Sequence, residues 1–375
     1  MKFALRSAAV VSAALVGSWL WLPREVSAQS LRFQRADGNA DGKVNIGDPI
    51  YELEFLFRGG PAPACWKAAD ANDDGSLDIS DPVYTLLFLF CGGEAPPGPF
   101  PGCGLDPTED ELPCAAFAPC ADRPVYVNIQ VDAELDDTAG LNRMIDILYA
   151  RKIPASVYVT ADYANRNALL ISGIFSKGFE IALHGYYTGE QLASMTYAEQ
   201  KDLLTRAMHA LEGCKPCGTY KPIVGFRPQY FSQNEDTYRV LDELALRHNS
   251  GFKARTLYLP GFEWAESPYP APGHDFMVVP LATVVRGEER VYLCDIACAQ
   301  VLLWTADQWR EALLGKLAEA LETRLPIAVL FHNWYTGDTE KYTYWQPFVD
   351  FLDAAQAAGV TFVTTDQLCA AHRGN

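Results

Sequence analysis

The sequence is poor in basic residues and in histidine. Its 375 residues include 30 Lys and Arg against 47 Asp and Glu, a formal net charge of −17, and six His. This acidic balance disfavours nucleic acid and anionic membranes as partners, because both repel a negatively charged surface. The six His are few enough to be considered one by one as catalytic or metal-binding candidates.

Long apolar stretches are absent after the N-terminus. The run 8–22 follows Lys2 and Arg6 and precedes small residues at 26–28, which predicts a signal peptide over residues 1–28. An uncleaved anchor is the alternative, but the run is shorter than the ~20 residues of a spanning helix. We therefore expect a secreted or cell-surface protein without a transmembrane segment after cleavage.

Ten cysteines fit an oxidising compartment. Local spacing predicts disulfides between Cys214 and Cys217, between Cys294 and Cys298, and between Cys103 and Cys114. A redox or zinc motif at Cys214–Cys217 is less favoured, because no second pair stands at zinc spacing. The pairing of the other four cysteines does not follow from the sequence: Cys65, Cys91, Cys120 and Cys369.

Two acidic loops near the start repeat one ligand spacing. The loops offer Asp37, Asn39, Asp41, Lys43 and Asp48, and then Asp70, Asn72, Asp74, Ser76 and Asp81. Lys43 and Ser76 would contribute backbone carbonyls, and a glycine at the sixth position allows the sharp turn. A pair of solvated acidic turns is the alternative, but two copies with equal spacing favour two bound calcium ions.

Each acidic loop leads into an apolar helical run, 49–57 or 82–90, that ends at a Gly-Gly pair. Both runs contain Phe-Leu-Phe before the glycines. Residues 31–95 therefore resemble a dockerin, a small all-α module with two EF-hand-like loops. The resemblance implies a cohesin-like or cell-surface docking partner.

A Pro/Gly/Cys-rich segment, 96–122, is predicted to be a linker stapled by disulfides. From 123 to 375, short β-rich runs alternate with amphipathic helical runs, which predicts an α/β fold with a parallel sheet closed as a barrel. The predicted strands are 125–131, 155–160, 179–184, 223–226, 327–332 and 361–364. The predicted helices are 138–151, 197–213, 235–247, 306–323 and 345–358.

Four polar residues stand at the carboxyl ends of predicted strands: Asp132, His184, Arg227 and His332. Because the carboxyl ends of parallel strands meet at one edge of a barrel, we expect them to share a site. The remaining His are interpreted as ordinary: His209 and His248 in helical patterns, His274 in a loop and His372 in the tail.

Residues 124–370 resemble the polysaccharide deacetylase family. The matching motifs are 131–134 around the acid pair, 180–186 around His184, 225–230 around Arg227, and 330–332. The resemblance implies a distorted (β/α) barrel that binds a divalent metal, most often zinc. By motif, Asp132 would be the general base, Arg227 its orienting partner, His332 the general acid, and the Tyr230 N–H an oxyanion donor.

The metal ligands implied by the resemblance are Glu134, His184 and Thr188, where Thr188 stands at the position of the family's second metal His. The register of the acid pair has an alternative: if Asp132 is the ligand, the base position falls on Gln130. Tyr186, Tyr187 and Trp334 could stack on sugar rings or pack at the barrel rim.

The function expected from these features is extracellular, metal-dependent removal of acetyl groups from an N- or O-acetylated polysaccharide. Two alternatives remain open. The first is an inactive carbohydrate-binding barrel, suggested by Thr188. The second is an amidohydrolase acting on a small, non-peptide C–N substrate.

Overall fold

The computed structural model describes residues 31–121, 123–216 and 222–373. The predicted signal peptide lies outside these residues, and so does Cys217 of the predicted Cys214–Cys217 disulfide. Cys214 itself is a buried, free thiol. Across the described ranges, no helix combines the length and apolarity needed to cross a membrane.

The N-terminal unit contains four helices. These are α1 (Gly47–Arg58), α2 (Trp66–Ala69), α3 (Ser80–Cys91) and α4 (Ala118–Ala121). The two long ones, α1 and α3, pack against each other and each follows one acidic loop. Both end at a glycine in the left-handed region, Gly59 with φ 70° and Gly92 with φ 66°, as the Gly-Gly pairs predict.

The described residues of the predicted linker, 96–121, are part of this N-terminal unit and are not a free linker. Its disulfides are Cys65–Cys114 and Cys103–Cys120. The predicted Cys103–Cys114 pair is therefore wrong: Cys114 forms an antiparallel bridge with Cys65, which brings these two sulfurs together. Buried Lys67 adds further contacts, to Asp106 at 2.6 Å and Asp110 at 2.8 Å.

Strands and helices alternate through the rest of the chain. The strands are β1 (Tyr126–Ala133), β2 (Ala155–Val159), β3 (Glu180–Leu183), β4 (Gly225–Phe226), β5 (His248–Lys253), β6 (Tyr269–Pro270), β7 (Met277–Leu281), β8 (Thr283–Arg286), β9 (Glu289–Tyr292), β10 (Ile327–His332) and β11 (Thr361–Phe362). The helices are α5 (Thr138–Ala150), α6 (Ala161–Arg166), α7 (Ala168–Ser176), α8 (Tyr197–Gly213), α9 (Glu235–Glu243), α10 (Ala306–Thr323), α11 (Trp345–Ala357) and α12 (Thr365–His372).

The main sheet has nine strands in the order β10-β1-β2-β3-β4-β5-β7-β6, and β11 pairs beside β1. All pairings are parallel except β6 with β7, and β8–β9 form a separate hairpin. The predicted closed barrel is corrected to a curled, open sheet. Outside the ladders, single backbone bonds join β10 to the segments that follow β7 and β9: Ala282 N donates to Ala328 O (2.8 Å), and Leu330 N donates to Leu293 O (3.0 Å).

Two other predictions are corrected by this architecture. His248 begins β5 and does not lie in a helix, since α9 already ends at Glu243. Cys294 and Cys298 are free, buried thiols, not a disulfide. They flank the start of a π-helical turn, Ala297–Val301, in which the Cys298 N–H donates to Cys294 O.

Strand β1 shows why the sheet can carry a site. Val127, Ile129 and Val131 belong to the apolar core. Because side chains alternate along a strand, Asn128, Gln130 and Asp132 share the opposite face and point into the curled sheet. Asn128 accepts from Gln130 Nε2 at 2.6 Å and from Thr365 Oγ1 at 3.1 Å. A buried polar network therefore lies beneath the carboxyl edge of the sheet.

Candidate functional site

The structure brings the four strand-end residues together at the carboxyl edge of the sheet. Asp132 in β1 lies directly opposite His332, the last residue of β10, in the parallel ladder. His184 and Arg227 follow β3 and β4, which pair through Leu183 and Phe226. All four side chains are buried, so their charges interact in a weakly screened environment.

Asp132 is held by Arg227 on one side of its carboxylate. Arg227 Nε and Nη2 lie 3.0 Å and 2.7 Å from Asp132 Oδ1. Arg227 Nη1 donates to Gln130 Oε1 at 2.7 Å, and Ser250 Oγ donates to the same oxygen at 2.9 Å. Gln130 thus supports Arg227 from below, and Asp132 is the carboxylate that faces the site.

The second oxygen of Asp132 faces two imidazoles. Asp132 Oδ2 lies 3.3 Å from His184 Nε2 and 3.8 Å from His332 Nε2. His184 Nδ1 lies 2.9 Å from Arg227 O, and because a carbonyl can only accept, this nitrogen carries the proton. Because Nδ1 donates to this carbonyl, Nε2 is the ring nitrogen of His184 that faces Asp132.

His332 has a carboxylate partner that the sequence interpretation missed. Asp295 Oδ1 lies 2.6 Å from His332 Nδ1, and Asp295 Oδ2 accepts from His332 N (2.8 Å) and Thr336 Oγ1 (2.6 Å). Burial alone would lower the pKa of His332, but the charge and hydrogen bond of Asp295, together with the charges of Asp132 and Glu134, raise this pKa. His332 is thereby favoured as a proton donor.

Tyr230 and Phe231 lie in the loop after β4 and have positive φ values, 52° and 58°. Two consecutive non-glycine residues in this region are strained, and such strain occurs at functional sites. Tyr230 is 68% exposed, so its side chain reaches outward from the loop.

The three aromatic residues predicted to bind substrate lie at the rim of this edge. Tyr186 and Tyr187 have ring centroids 4.5 Å apart, and Tyr187 is exposed. Trp334 lies 6.0 Å from the His332 ring and donates its Nε1–H to Glu134 Oε1 at 3.4 Å. Trp334 therefore orients an acidic residue of the site in addition to offering a ring face.

Residues 124–248 match the sequence profile of the Polysaccharide deacetylase family. The chain carries a polysaccharide deacetylase domain. A comparison with curated protein sequences gives no match.

Solved structures show the same fold for this deacetylase domain. A protein described as a polysaccharide deacetylase from Mycobacterium smegmatis has a TM-score of 0.53 and 18% identity, covering 68% of this chain and 92% of that one. A second protein described as a polysaccharide deacetylase, from Pseudomonas aeruginosa PAO1, has a TM-score of 0.52 and 16% identity. The match covers 65% of this chain and 89% of that one. The Puue allantoinase has a TM-score of 0.53 and 16% identity, and the match covers 66% of this chain and 90% of that one. At these identities the similarity concerns the fold.

The residues of the deacetylase domain fit the implied zinc ion incompletely. Thr188 is exposed on the loop after β3, whereas His184 is buried. Glu134 has one buried oxygen, Oε2, without a hydrogen-bond partner, which is a feature of an unused ligand atom. However, Asp132, Glu134 and His184 are not among the described groups whose ligand atoms all lie within 4.8 Å of one another. No catalytic step is therefore derived through a metal.

One group that does gather within 4.8 Å is Cys294, Asp295 and His332. Both oxygens of Asp295 already accept hydrogen bonds, as described above. Burial raises the pKa of the Cys294 thiol well above its usual range, so the thiolate that would bind a metal is disfavoured. We therefore interpret this group as a hydrogen-bonded Asp295–His332 pair beside the Cys294 thiol, and not as a second set of metal ligands.

The two acidic loops of the N-terminal unit have matching geometry. Asp37 accepts from the N–H groups of Asp41 and Gly42, and Asp70 accepts from those of Asp74 and Gly75. Asp48 and Asp81, the twelfth residues, are completely buried and each accepts two backbone N–H groups. Burial, and then the charge of Asp48, raise the pKa of Asp37 to about 7. Carboxylates are the ligands that calcium ions take in proteins, so the repeated loops keep the donor set that the sequence predicts.

Proposed function

We propose that the protein removes acetyl groups from an N- or O-acetylated polysaccharide outside the cell. The observation that supports this most is the pairing of a base and an acid across one site. Asp132 is oriented by Arg227, His332 is oriented by Asp295, and their reacting atoms lie 3.8 Å apart. General acid–base catalysis of acyl transfer needs one group that accepts a proton and one that donates a proton.

In this proposal each group carries out one step. Asp132 Oδ1 is occupied by Arg227, which leaves Oδ2 to take a proton from the water that attacks the acetyl carbonyl carbon. The Tyr230 N–H would stabilise the oxyanion that forms. His332 Nε2 then donates its proton to the leaving amine or alkoxide as the bond to the acetyl carbon breaks. The products are acetate and a free amino or hydroxyl group on the sugar.

The aromatic rings at the rim, of which Tyr187 is exposed and the others are half-buried, support a carbohydrate substrate. Sugar rings present C–H faces that stack on aromatic side chains, and Tyr187 offers an exposed ring next to Tyr186. The three rim residues Tyr186, Tyr187 and Trp334 are proposed to hold the sugar whose acetyl group is attacked.

An acetate-release assay tests this function. The protein is incubated with N-acetylated chitin oligosaccharides, O-acetylated xylan and small amides, before and after treatment with a chelator. We expect acetate from at least one polysaccharide. Loss of release on chelation, restored by zinc, would support the metal predicted from the resemblance, and unchanged release would show that Asp132 and His332 act without it.

Other outcomes of the same assay contradict the proposal. Hydrolysis of a small amide without release from any polysaccharide favours the amidohydrolase alternative, to which the fold shared with the Puue allantoinase adds weight. Glycan binding without any hydrolysis favours an inactive, carbohydrate-binding barrel.

For the N-terminal unit we propose a calcium-dependent, dockerin-like attachment to a cohesin-like partner. The two long helices and the residues just before them expose apolar side chains at equivalent positions of the repeat. These are Ile46 and Ile79, Ile50 and Val83, and Phe57 and Phe90. Exposed apolar residues in a repeated pattern favour a docking role over chance exposure.

Calcium titration should show two ions per chain and a rise in melting temperature. The expected gain in unfolding free energy is about 2.7 kcal/mol for each bound ion at a calcium concentration 100 times the dissociation constant. Asp48→Ala and Asp81→Ala should each remove one ion, because each deletes a buried carboxylate. Glu54→Gln, on the exposed side of α1, is the control and should keep both. Unchanged melting in calcium would contradict the assignment.

A further inference from the structure

Lys253, the last residue of β5, lies between two aromatic rings. Its Nζ is 4.1 Å from the Phe231 ring centroid and 4.0 Å from that of Tyr292. The two rings meet edge to face, with centroids 5.4 Å apart. All three side chains are partly exposed, so this aromatic cage opens to solvent. Both rings stabilise the ammonium group through cation–π attraction.

The ammonium group of Lys253 lacks an acidic partner within 4.0 Å among the described residues, whereas several other lysines have one. Lysines that pair with a carboxylate are Lys67, Lys177, Lys201, Lys215 and Lys316. Burial lowers the pKa of Lys253, because nearby rings replace water without supplying a counter-charge. A half-buried cation without a counter-ion is ready to receive an anion.

The cage is built from the segments that carry the catalytic groups. Phe231 directly follows Tyr230 in the strained loop after β4. Tyr292 ends β9, three residues before Asp295, which orients His332. Lys253 itself ends a parallel strand at the same edge of the sheet as Arg227. An anion held by Lys253 would therefore lie at the same edge of the sheet as the proposed base and acid.

We propose that Lys253, Phe231 and Tyr292 form a subsite for a sugar unit that carries a carboxylate, such as a uronic acid, adjacent to the acetylated unit. This inference rests on the proposed function. The cage contains one ammonium group, which matches the single charge of a carboxylate, and rings, which match the apolar face of a sugar. The substrate would then be an acidic, acetylated polysaccharide.

Binding of galacturonic acid trisaccharide and of its methyl ester, measured by calorimetry, tests the subsite. The ester keeps the sugar rings and removes the charge. We expect wild-type protein to bind the acid about tenfold more tightly, because a charge-assisted hydrogen bond contributes on this scale. Lys253→Met should remove the preference and Lys253→Arg should retain it.

Lys177→Met is the matched control. Lys177 also lies over a ring, 5.5 Å from Tyr149, but it follows α7 at the opposite edge of the sheet, so its loss should leave the preference intact. Melting curves check the fold of each variant. Equal binding of acid and ester, binding of neither, or a preference that persists in Lys253→Met would overturn the subsite. Because binding needs no turnover, a failure of acetate release would count against the proposed function and not against this preference.

Discussion

Asp132→Asn is expected to lower the rate constant for acetate release by roughly 10³-fold, the mid-range contribution of a general base. The amide cannot take a proton from water, so the attacking oxygen stays a poor nucleophile. The substrate should still bind, because the change replaces one oxygen by a nitrogen of similar size. The measurement is kcat and KM for the polysaccharide that the acetate-release assay identifies, with the loss expected in kcat.

The fold of Asp132→Asn is expected to persist, because Asn keeps an oxygen that can accept from buried Arg227. Asp162→Asn is the matched control: Asp162 also pairs with an arginine, Arg166, but on the exposed face of α6. That variant should retain full activity. Acetate release by Asp132→Asn at the wild-type rate, with an unchanged melting curve, would show that Asp132 is not the base.

The four polar residues at the strand ends could be predicted from the sequence because each of them follows an apolar run. Asp132, His184, Arg227 and His332 stand where periodicity of two breaks off, and parallel strands align their carboxyl ends. The direction of the side chains along β1 also follows from alternation. The contact between Gln130 and Arg227 does not follow from it. The role of Gln130 depends on Ser250 and Arg227, which are more than 90 residues away in the chain.

Asp295 escaped prediction because it follows a hairpin whose strands are four residues each, too short for a periodic pattern. Strand β5 escaped for another reason. It begins with the polar residues His248, Asn249 and Ser250, which are buried in the polar interior of the sheet and therefore do not look like a strand. A local pattern cannot reveal that polar side chains are satisfied by distant partners, such as Glu180 at 2.6 Å from His248.

Motif spacing gives the position of Thr188 in the sequence but not the direction of its side chain. Counting from His184 places it where a second metal imidazole stands in the family, but the backbone decides where it points. Gly185 and Gly189 have φ values of 83° and 97°, and the loop between them turns outward. Glu190 fixes this turn by accepting from the N–H groups of Tyr186 and Tyr187. Thr188 is consequently exposed.

Asp295→Asn is expected to move the alkaline limb of the kcat–pH profile to lower pH. His332 must be protonated to donate to the leaving group, and Asp295 raises its pKa, so wild-type protein keeps the proton as the pH rises. Without the carboxylate this pKa falls, and activity is lost at a lower pH. Near the wild-type alkaline limb the rate should drop by about 10²-fold, because most molecules then lack the acid.

The Thr336→Val variant distinguishes the effect of the charge of Asp295 from the effect of one hydrogen bond to Asp295. Thr336 donates to Asp295 Oδ2 at 2.6 Å, and its loss removes one bond without changing a charge. We expect Thr336→Val to lower kcat modestly and to leave the pH of the alkaline limb unchanged, whereas Asp295→Asn should shift that limb. An identical limb in wild type and Asp295→Asn would mean that a group other than His332 supplies the proton. His332→Gln should in turn abolish the limb, since the variant has no imidazole to titrate.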